Sequence, residues 1–247
     1  MEILELGAGV LLASASDHER IAESLSHRGH SYRRFMDRLF LPCSTEELSI
    51  DQIKVVNRFR EATFQSDAQF NLNVSVKRRV GAALDVLGCR SILEIGCGKF
   101  PIIDFVSGAE RYTCVEVDDE AISTNRATCI DCISLESLIS DSTRSNFDVF
   151  VSLFVFQFNV APALTEILHK RSCNHGIGIV NLHGVEPALR AKRIQMLIES
   201  GFYVTTIPDA HPGLRKNEFL ILSKAPGHQQ DHGRIECIRQ ALLAVTA

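Results

Sequence analysis

The chain has 247 residues, of which 45% are hydrophobic and 23% are charged, and its formal net charge is −4. These values are typical of a globular protein with one large domain, or with one domain and a smaller appendage. The weakly negative charge argues against a polyanion as a general partner. No apolar run reaches the about 18 residues that a membrane span needs. A basic segment followed by a long apolar run is missing from residues 1–30. We therefore expect a cytoplasmic protein without a membrane partner.

The cysteines predict reduced thiols. The sequence contains 8 cysteines, and they are scattered rather than spaced as in a disulfide framework. One C-x-x-C pair joins Cys129 and Cys132. Zinc would need two more ligands at short spacing. The pair also falls in a predicted strand, where residues three apart point to opposite faces. No metal site is expected.

Residues 1–88 are predicted to form a helical N-terminal extension. A first helix begins at Asp17, a suitable N-cap, carries apolar residues at three- and four-residue spacing, and ends at Pro42. A second helix opens at the Ser-Thr pair two residues later. A third covers about 74–87, and Gly88 stands where a glycine ends a helix.

Residues 89–225 alternate short apolar runs with helical segments, and 226–247 are predicted to be a helical tail. The strand candidates are 91–95, 112–117, 127–133, 147–153, 177–182, 202–207 and 218–223. The helix candidates are 119–126, 161–171 and 186–200. This alternation predicts an α/β fold with a mainly parallel sheet covered on both faces. The last two strands are joined by a loop without a clear helix, so they are able to pair antiparallel.

A glycine motif follows the first predicted strand of this region. Gly96 and Gly98 permit a tight turn and a close approach to a ligand. Glu116 lies in the next predicted strand, 112–117, 20 residues after Gly96. In dinucleotide sites an acid at this distance accepts hydrogen bonds from ribose hydroxyls. Pro101 replaces the third glycine of G-x-G-x-x-G, which suits S-adenosylmethionine (SAM), a ligand without a pyrophosphate, better than a dinucleotide.

Three segments together resemble the class I SAM-dependent methyltransferases. They are LEIGCG at 93–98, CVEVD at 114–118 and FDVFVS at 147–152. The resemblance covers about residues 91–225. It implies a Rossmann-like, seven-stranded, mostly parallel sheet with an antiparallel last strand. It also implies SAM as the cofactor and methyl transfer as the activity.

The resemblance also implies a set of cofactor-binding residues. These are Glu94, Gly96, Cys97, Gly98, Glu116, Val117, Asp131, Leu153 and Phe154. In this family the glycine loop passes the SAM tail, the acid equivalent to Glu116 binds the ribose, and the residue after it touches the adenine. An acid near the end of the third strand often meets the adenine amino group. Asp131 fits that role, and Leu135 and Glu136 are nearby competitors.

A second glycine motif, LELGAG at 4–9, is not expected to bind a cofactor. Its strand would begin at Met1, and the residue about 20 positions after Gly7 is His27. His27 falls within a predicted helix rather than at a strand end, so the required context is missing.

Catalysis is expected to depend mainly on positioning. Methyl transfer is an in-line displacement, and a base is needed only when the acceptor holds a proton at neutral pH. His183 follows the fifth strand, at the edge where ligands bind open parallel sheets. It is the candidate general base, with a structural loop histidine as the alternative. His211 is the weaker candidate. The phenylalanines after the fourth strand either line an acceptor pocket or pack in the core.

The expected acceptor is a small molecule, with the N-terminal helices as a lid. The Asn/Asp-Pro-Pro-aromatic motif of base amino-methylases is missing after the fourth strand. A nucleic-acid acceptor, held by arginines of the extension, stays as an alternative, but interleaved acids favour a solvated helix face. A SAM-binding protein without methyl transfer is a third hypothesis. The sequence gives no indication of the oligomeric state.

Overall fold

A computed structural model describes residues 2–14, 22–36, 38–45, 48–63, 67–98, 100–128, 130–141, 146–156, 162–211, 214, 217–224 and 229–244. The chain forms two compact units, residues 1–67 and 68–247. Among the described residues, every helix is too short or too polar to cross a membrane.

The first unit contains a five-stranded antiparallel sheet in the order β1-β2-β5-β4-β3. Its strands are β1 (Glu2–Gly7), β2 (Val10–Ser14), β3 (Ser24–His27), β4 (His30–Met36) and β5 (Leu39–Pro42). The helix α1 (Ile50–Thr63) packs against β1 and β2. Leu11, Ala13 and Phe40 form a small buried cluster on this sheet.

The prediction of a helical extension is wrong for this sheet. Leu25, Tyr32 and Phe35 have spacings that suit a helix, but Arg28 and Gly29 form a two-residue turn with φ of 50° and 80°. Two successive positive φ values favour a β-hairpin, whose twist they match. The rejected LELGAG motif ends in a similar hairpin turn between β1 and β2. Asp17, the predicted helix cap, lies outside the described residues.

The second predicted helix exists but begins later than expected. Ser49 accepts from the backbone N–H of Gln52 at 3.2 Å, and the Gln52 side chain accepts from the N–H of Ser49 at 2.9 Å. This reciprocal pair is a capping box, which starts α1 at Ile50.

The second unit contains the seven-stranded sheet, in the order β11-β12-β10-β9-β6-β7-β8. Its strands are β6 (Ser91–Ile95), β7 (Arg111–Glu116), β8 (Asp131–Ser134), β9 (Phe147–Ser152), β10 (Ser172–His183), β11 (Tyr203–Pro208) and β12 (Asn217–Ser223). β12 runs antiparallel to both of its neighbours, and β6 to β10 pair in parallel. The predicted sheet and its reversed last strand are confirmed.

Helices cover both faces of this sheet. They are α2 (Asp67–Leu87), α3 (Asp119–Ala127), α4 (Leu135–Ser140), α5 (Pro162–Arg171), α6 (Pro187–Glu199) and α7 (Gln229–Leu243), with a 3-10 turn at Ile102–Phe105. Successive residues of a strand face opposite sides. Ile92 therefore packs in the cluster that contains α2 and α7, while Leu93 packs in the cluster that contains α5 and α6.

The boundaries of these elements differ from the predictions at three places. α2 packs in the core of the second unit rather than in the N-terminal one, and Gly88, with φ of 62°, ends it as predicted. α3 continues through Ala127, so β8 begins only at Asp131. α4 was not predicted.

A buried polar network joins β9, β10, β12 and α2. The amide N–H of Phe154 donates to Asn181 Oδ1, and Asn181 Nδ2 donates to Asn217 Oδ1 at 2.8 Å. Asn217 in turn donates to Asp209 at 2.8 Å, and Arg79 donates to both oxygens of Asp209 at 2.9 Å. Burial raises the pKa of Asp209, but these hydrogen bonds and the backbone N–H of His211 outweigh it and lower the pKa below its usual value.

Replacing Arg79 by methionine is expected to destabilise the fold by about 3–5 kcal/mol, because it leaves the Asp209 carboxylate buried without its counter-charge. Both side chains of this pair are at most 1% exposed. Arg90→Met, which breaks an ion pair whose side chains are 73% and 68% exposed, is the matched control and should change stability by less than about 1 kcal/mol. Urea denaturation measures both. Equal effects of the two substitutions would contradict a structural role for the buried pair.

Candidate functional site

Five strand ends of the second unit meet at one edge of its sheet. β6 to β10 pair in parallel, so their carboxyl ends lie on the same side. In the sheet, β7 and β8 lie on one side of β6, whereas the strands that follow them in the chain, β9 and β10, lie on its other side. Such a reversal of strand order opens a crevice beyond the carboxyl ends, where ligands of open α/β sheets bind. This edge is the candidate site.

The glycine loop after β6 adopts a conformation that only glycine takes without strain. Gly96 and Gly98 have φ of 73° and 60°. A Cβ on Gly96 would lie 2.2 Å from Cγ2 of Val155, whereas no atom of another described residue, the chain neighbours of Gly98 aside, lies within 4 Å of a Cβ position on Gly98. Gly96 is therefore required by close packing against the loop after β9, while Gly98 faces open space.

The Glu94 carboxylate supports this loop from the interior of the protein. Glu94 is 1% exposed and accepts hydrogen bonds from Lys77 Nζ at 3.2 Å, from the N–H of Ile102 at 2.7 Å and from the hydroxyl of Tyr112. Lys77 Nζ also donates to the carbonyl oxygens of Cys97 and Phe100. Glu94 thus faces the protein interior, and it fixes the loop rather than lining its open side.

Glu116, at the end of β7, is brought next to the glycine loop as the sequence predicts. Its Oε2 accepts from the N–H of Gly98 at 3.0 Å, and its Oε1 accepts from the N–H groups of Val117 at 2.7 Å and Asp118 at 3.4 Å. Burial raises the pKa of Glu116, and the three backbone N–H groups offset this only in part. A carboxylate has about four acceptor positions, so one position on Oε2 is left for a ligand hydroxyl.

Asn125, from α3, completes the loop. Its side-chain amide donates to the carbonyl oxygen of Gly98 at 2.8 Å and to that of Ala121 at 2.9 Å. The N–H and the C=O of Gly98 are therefore both held by side chains. The sequence does not predict the roles of Asn125, Lys77 and Tyr112, since no local motif connects them to the loop.

Asp131 is the predicted site residue that the fold does not bring to this edge. It is the first residue of β8 and pairs with Thr113, three positions before the carboxyl end of β7. The carboxyl end of β8 is Ser134, which caps α4 and is followed by Leu135 and Glu136. The two competitors named from the sequence thus lie at the edge, and Asp131 lies toward the opposite one.

The loop after β9 carries the other predicted contacts. Leu153 is buried, and Phe154 is half-buried with φ of 61°, a value that non-glycine residues rarely adopt. The hydrogen bond from its N–H to Asn181 holds this backbone. Phe156 is fully buried and belongs to the core, and Phe158 lies outside the described residues.

His183 ends β10 beside Phe154, with ring centroids 6.2 Å apart. It is half-buried, and the residue that follows it in the chain, Gly184, lines a cavity of about 400 Å³. The cavity is lined by Gly184, Val185, Glu186, Pro187, Arg190, Pro208, Asn217 and Glu218. Arg190 forms a two-point ion pair with Glu218, so this cavity is polar. His211, the weaker candidate, lies in the loop after β11.

Substitution of Gly96 by alanine is expected to cost about 2–4 kcal/mol of stability, from the positive φ and from overpacking against Val155. Gly98→Ala is the control with the same φ strain and free space, and it should cost about 1–2 kcal/mol. The double variant Gly96→Ala/Val155→Ala should recover the overpacking part. Chemical denaturation compares the three, and equal costs at Gly96 and Gly98 would refute the close approach.

No protein-family model and no curated protein sequence matches this chain. Solved structures do match it. The methyltransferase domain of bacterial CtHen1-CN is 13% identical with a TM-score of 0.51, over 62% of this chain and 99% of that one. A TehB-like SAM-dependent methyltransferase from Corynebacterium glutamicum is 12% identical with a TM-score of 0.50, over 71% and 98%.

The N-methyltransferase NodS from Bradyrhizobium japonicum, in complex with S-adenosyl-L-homocysteine, is 14% identical with a TM-score of 0.51, over 67% of this chain and 96% of that one. At such identities the likeness concerns architecture. The second unit of this chain has the fold of the class I SAM-dependent methyltransferases.

Proposed function

We propose that the chain binds SAM at the carboxyl edge of its seven-stranded sheet and transfers the SAM methyl group to a small-molecule acceptor. One observation carries the proposal. The open side of the glycine loop and the Glu116 carboxylate meet at the switch point of strand order, joined by the hydrogen bond from Gly98 to Glu116. The SAM-dependent methyltransferases with this fold support the same cofactor.

The residues at this edge fit the parts of SAM. Glu116 has an acceptor position left for a ribose hydroxyl, and the free space beside Gly98 lets the amino-acid tail pass close to the backbone. Val117, half-buried after β7, and Leu135, half-buried after β8, are suited to flank the adenine. Leu153 and Phe154, in the loop after β9, are suited to line the remaining wall of the proposed SAM site. Leu135 replaces Asp131 in this assignment because it lies at the carboxyl edge.

SAM supplies a methyl group on a sulfonium, whose positive charge is lost in the transfer. The protein then has to hold the acceptor in line and exclude water. His183 lies at the same edge, next to Phe154 and the polar cavity, and it would take the proton of an acceptor hydroxyl or amine. The polar cavity, with the Arg190–Glu218 pair, suits a small polar acceptor.

A nucleic-acid acceptor has less support. Several basic residues of the first 88 form ion pairs within the chain. The pairs of Lys77 with Glu94 and of Arg79 with Asp209 are buried, and those of Arg28 with Glu5 and of Arg34 with Glu23 are at the surface. The predicted helices would have presented these arginines, but Arg33 and Arg34 lie on β4 and Arg28 lies in the turn before it. Phosphate contacts would have to compete with these internal pairs.

The wild-type protein is expected to bind SAM and S-adenosylhomocysteine in calorimetry, and Glu116→Ala should weaken both about 10- to 100-fold, the effect of losing a hydrogen bond to a charged group. Asp131→Ala is the control, because Asp131 lies at the beginning of β8, away from the carboxyl edge. It should leave the affinity for SAM unchanged. Wild-type affinity should also fall as acid protonates Glu116, since the neutral group loses an acceptor.

Stability of Glu116→Ala is measured alongside, because the substitution leaves three backbone N–H groups without their acceptor, and a loss of about 1–3 kcal/mol is expected. A folded Glu116→Ala protein that binds SAM with wild-type affinity would contradict the proposed ribose contact. A wild-type protein that binds neither ligand would refute the function.

His183→Ala is expected to lower turnover about 10²- to 10⁴-fold with little change in SAM affinity, as for loss of a general base. The wild-type rate should fall on acidification, because the protonated imidazole no longer accepts a proton. His175→Ala, on the same strand but near its exposed beginning, is the matched control. Methyl-labelled SAM and a metabolite pool first identify the acceptor that gains label.

The kinetic constants then separate the roles of His183. A rise in the Michaelis constant for the acceptor alone would make it an acceptor-binding residue. Unchanged constants would mean that the enzyme works by positioning alone. Formation of methylthioadenosine instead of S-adenosylhomocysteine would show transfer of another part of SAM.

A further inference from the structure

Three cysteines from three separate elements converge behind the glycine loop. Cys97 belongs to the loop itself, Cys114 lies on β7, and Cys132 lies on β8 directly opposite Cys114. Their sulfur atoms all lie within 4.8 Å of one another. All three side chains are at most 2% exposed. We call this group the cysteine triad.

The surroundings of the cysteine triad suit buried thiolates. Ile122 packs on it, and partly buried apolar neighbours close it from water. The side-chain amide of Asn125 lies 3.6 Å from the sulfur of Cys97, and the guanidinium of Arg126 donates to the carbonyl oxygen of Cys132 at 2.8 Å. The Asn125 amide has both of its N–H groups on the carbonyl oxygens of Gly98 and Ala121, so the Arg126 cation is the nearby group that offsets negative charge on the sulfur atoms.

We propose that the cysteine triad is a binding site for a soft, thiophilic metal ion of the Cu(I) class, held by three sulfur atoms. Metal–sulfur bonds of about 2.3 Å around a three-coordinate ion set the sulfur atoms about 4.0 Å apart. The observed spacing, at most 4.8 Å, reaches that triangle by small side-chain movements. Thiolates select soft ions such as Cu(I). The ion displaces the thiol protons to solvent, so no oxidant or reductant is needed.

A ligand set of three thiolates suits Cu(I). Structural zinc sites are four-coordinate, and the group of metal-ligating side chains within the described residues, which do not include Cys129, contains three members. The sequence predicts no metal site because the Cys129–Cys132 pair has no second pair nearby in sequence. The fold supplies ligands from distant positions instead, since parallel pairing of β6, β7 and β8 aligns Cys114 with Cys132 and places Cys97 just beyond them.

Cysteine is also a common small apolar core residue, so the experiment has to distinguish binding from packing. A background variant keeps the cysteine triad and carries alanine at the other five cysteines, which are Cys43, Cys89, Cys129, Cys173 and Cys237. This full-length protein is titrated anaerobically with Cu(I) in competition with a chromophoric Cu(I) chelator. One ion per chain is expected.

Each triad member is then replaced by alanine in that background. Cys97→Ala, Cys114→Ala or Cys132→Ala should weaken Cu(I) binding by more than the about 10- to 100-fold that loss of an outer-shell partner costs. In the otherwise wild-type chain, Cys89→Ala is the matched control, because Cys89 is also buried but lies outside the triad, and it should leave the tight site intact.

Two results of the titrations would overturn the proposal: a background variant that binds no Cu(I), and single variants that bind as tightly as the background. Circular dichroism confirms that each apo-variant is folded. X-ray absorption at the copper edge is measured on the background variant loaded with Cu(I), so this test does not depend on whether the single variants fold. It should count three sulfur neighbours at about 2.3 Å, and nitrogen or oxygen neighbours in their place would also overturn the site. None of these measurements involves SAM, so the result does not depend on the proposed function.

Discussion

The buried carboxylate of Glu94 is the constraint on which the candidate site depends. A charge that is 1% exposed is tolerated only when hydrogen bonds and a counter-charge surround it. Lys77 from α2, the N–H of Ile102 and the hydroxyl of Tyr112 supply them. These groups come from a helix, a 3-10 turn and a neighbouring strand. Satisfying one carboxylate therefore fixes three elements around the glycine loop.

Because of this support, the loop is held before any ligand arrives. Glu94 and Lys77 hold the side of the loop that faces the protein interior. Gly96 packs against Val155. The N–H of Gly98 donates to Glu116, and its C=O accepts from Asn125. A preorganised loop loses little conformational entropy on binding, so more of the contact energy is available as affinity.

The sequence predicted the sheet of the second unit because its signals are local: apolar strands, a glycine turn, and an acid at the end of the next strand. It failed where the deciding feature was a turn. The apolar spacing of Leu25 and Tyr32 suits a helix, whereas the positive φ values of Arg28 and Gly29, which turn the chain into a hairpin, are not evident from the sequence. Asp131 was misplaced because α3 extends through Ala127 and delays β8. Lys77, Tyr112 and Asn125 act through contacts that no spacing rule links to the loop.

The reversed last strand gives the site its second wall. β12 is antiparallel to β10, so its first residue, Asn217, lies opposite His183 at the edge where the parallel strands end. A parallel last strand would place its carboxyl end there and send the preceding loop to the opposite edge. With the reversal, Asp209, just past the end of β11, reaches Asn217, and Asn217 reaches Asn181, which holds the backbone of Phe154. Strand direction thus connects the proposed acceptor cavity to the loop that faces the proposed cofactor.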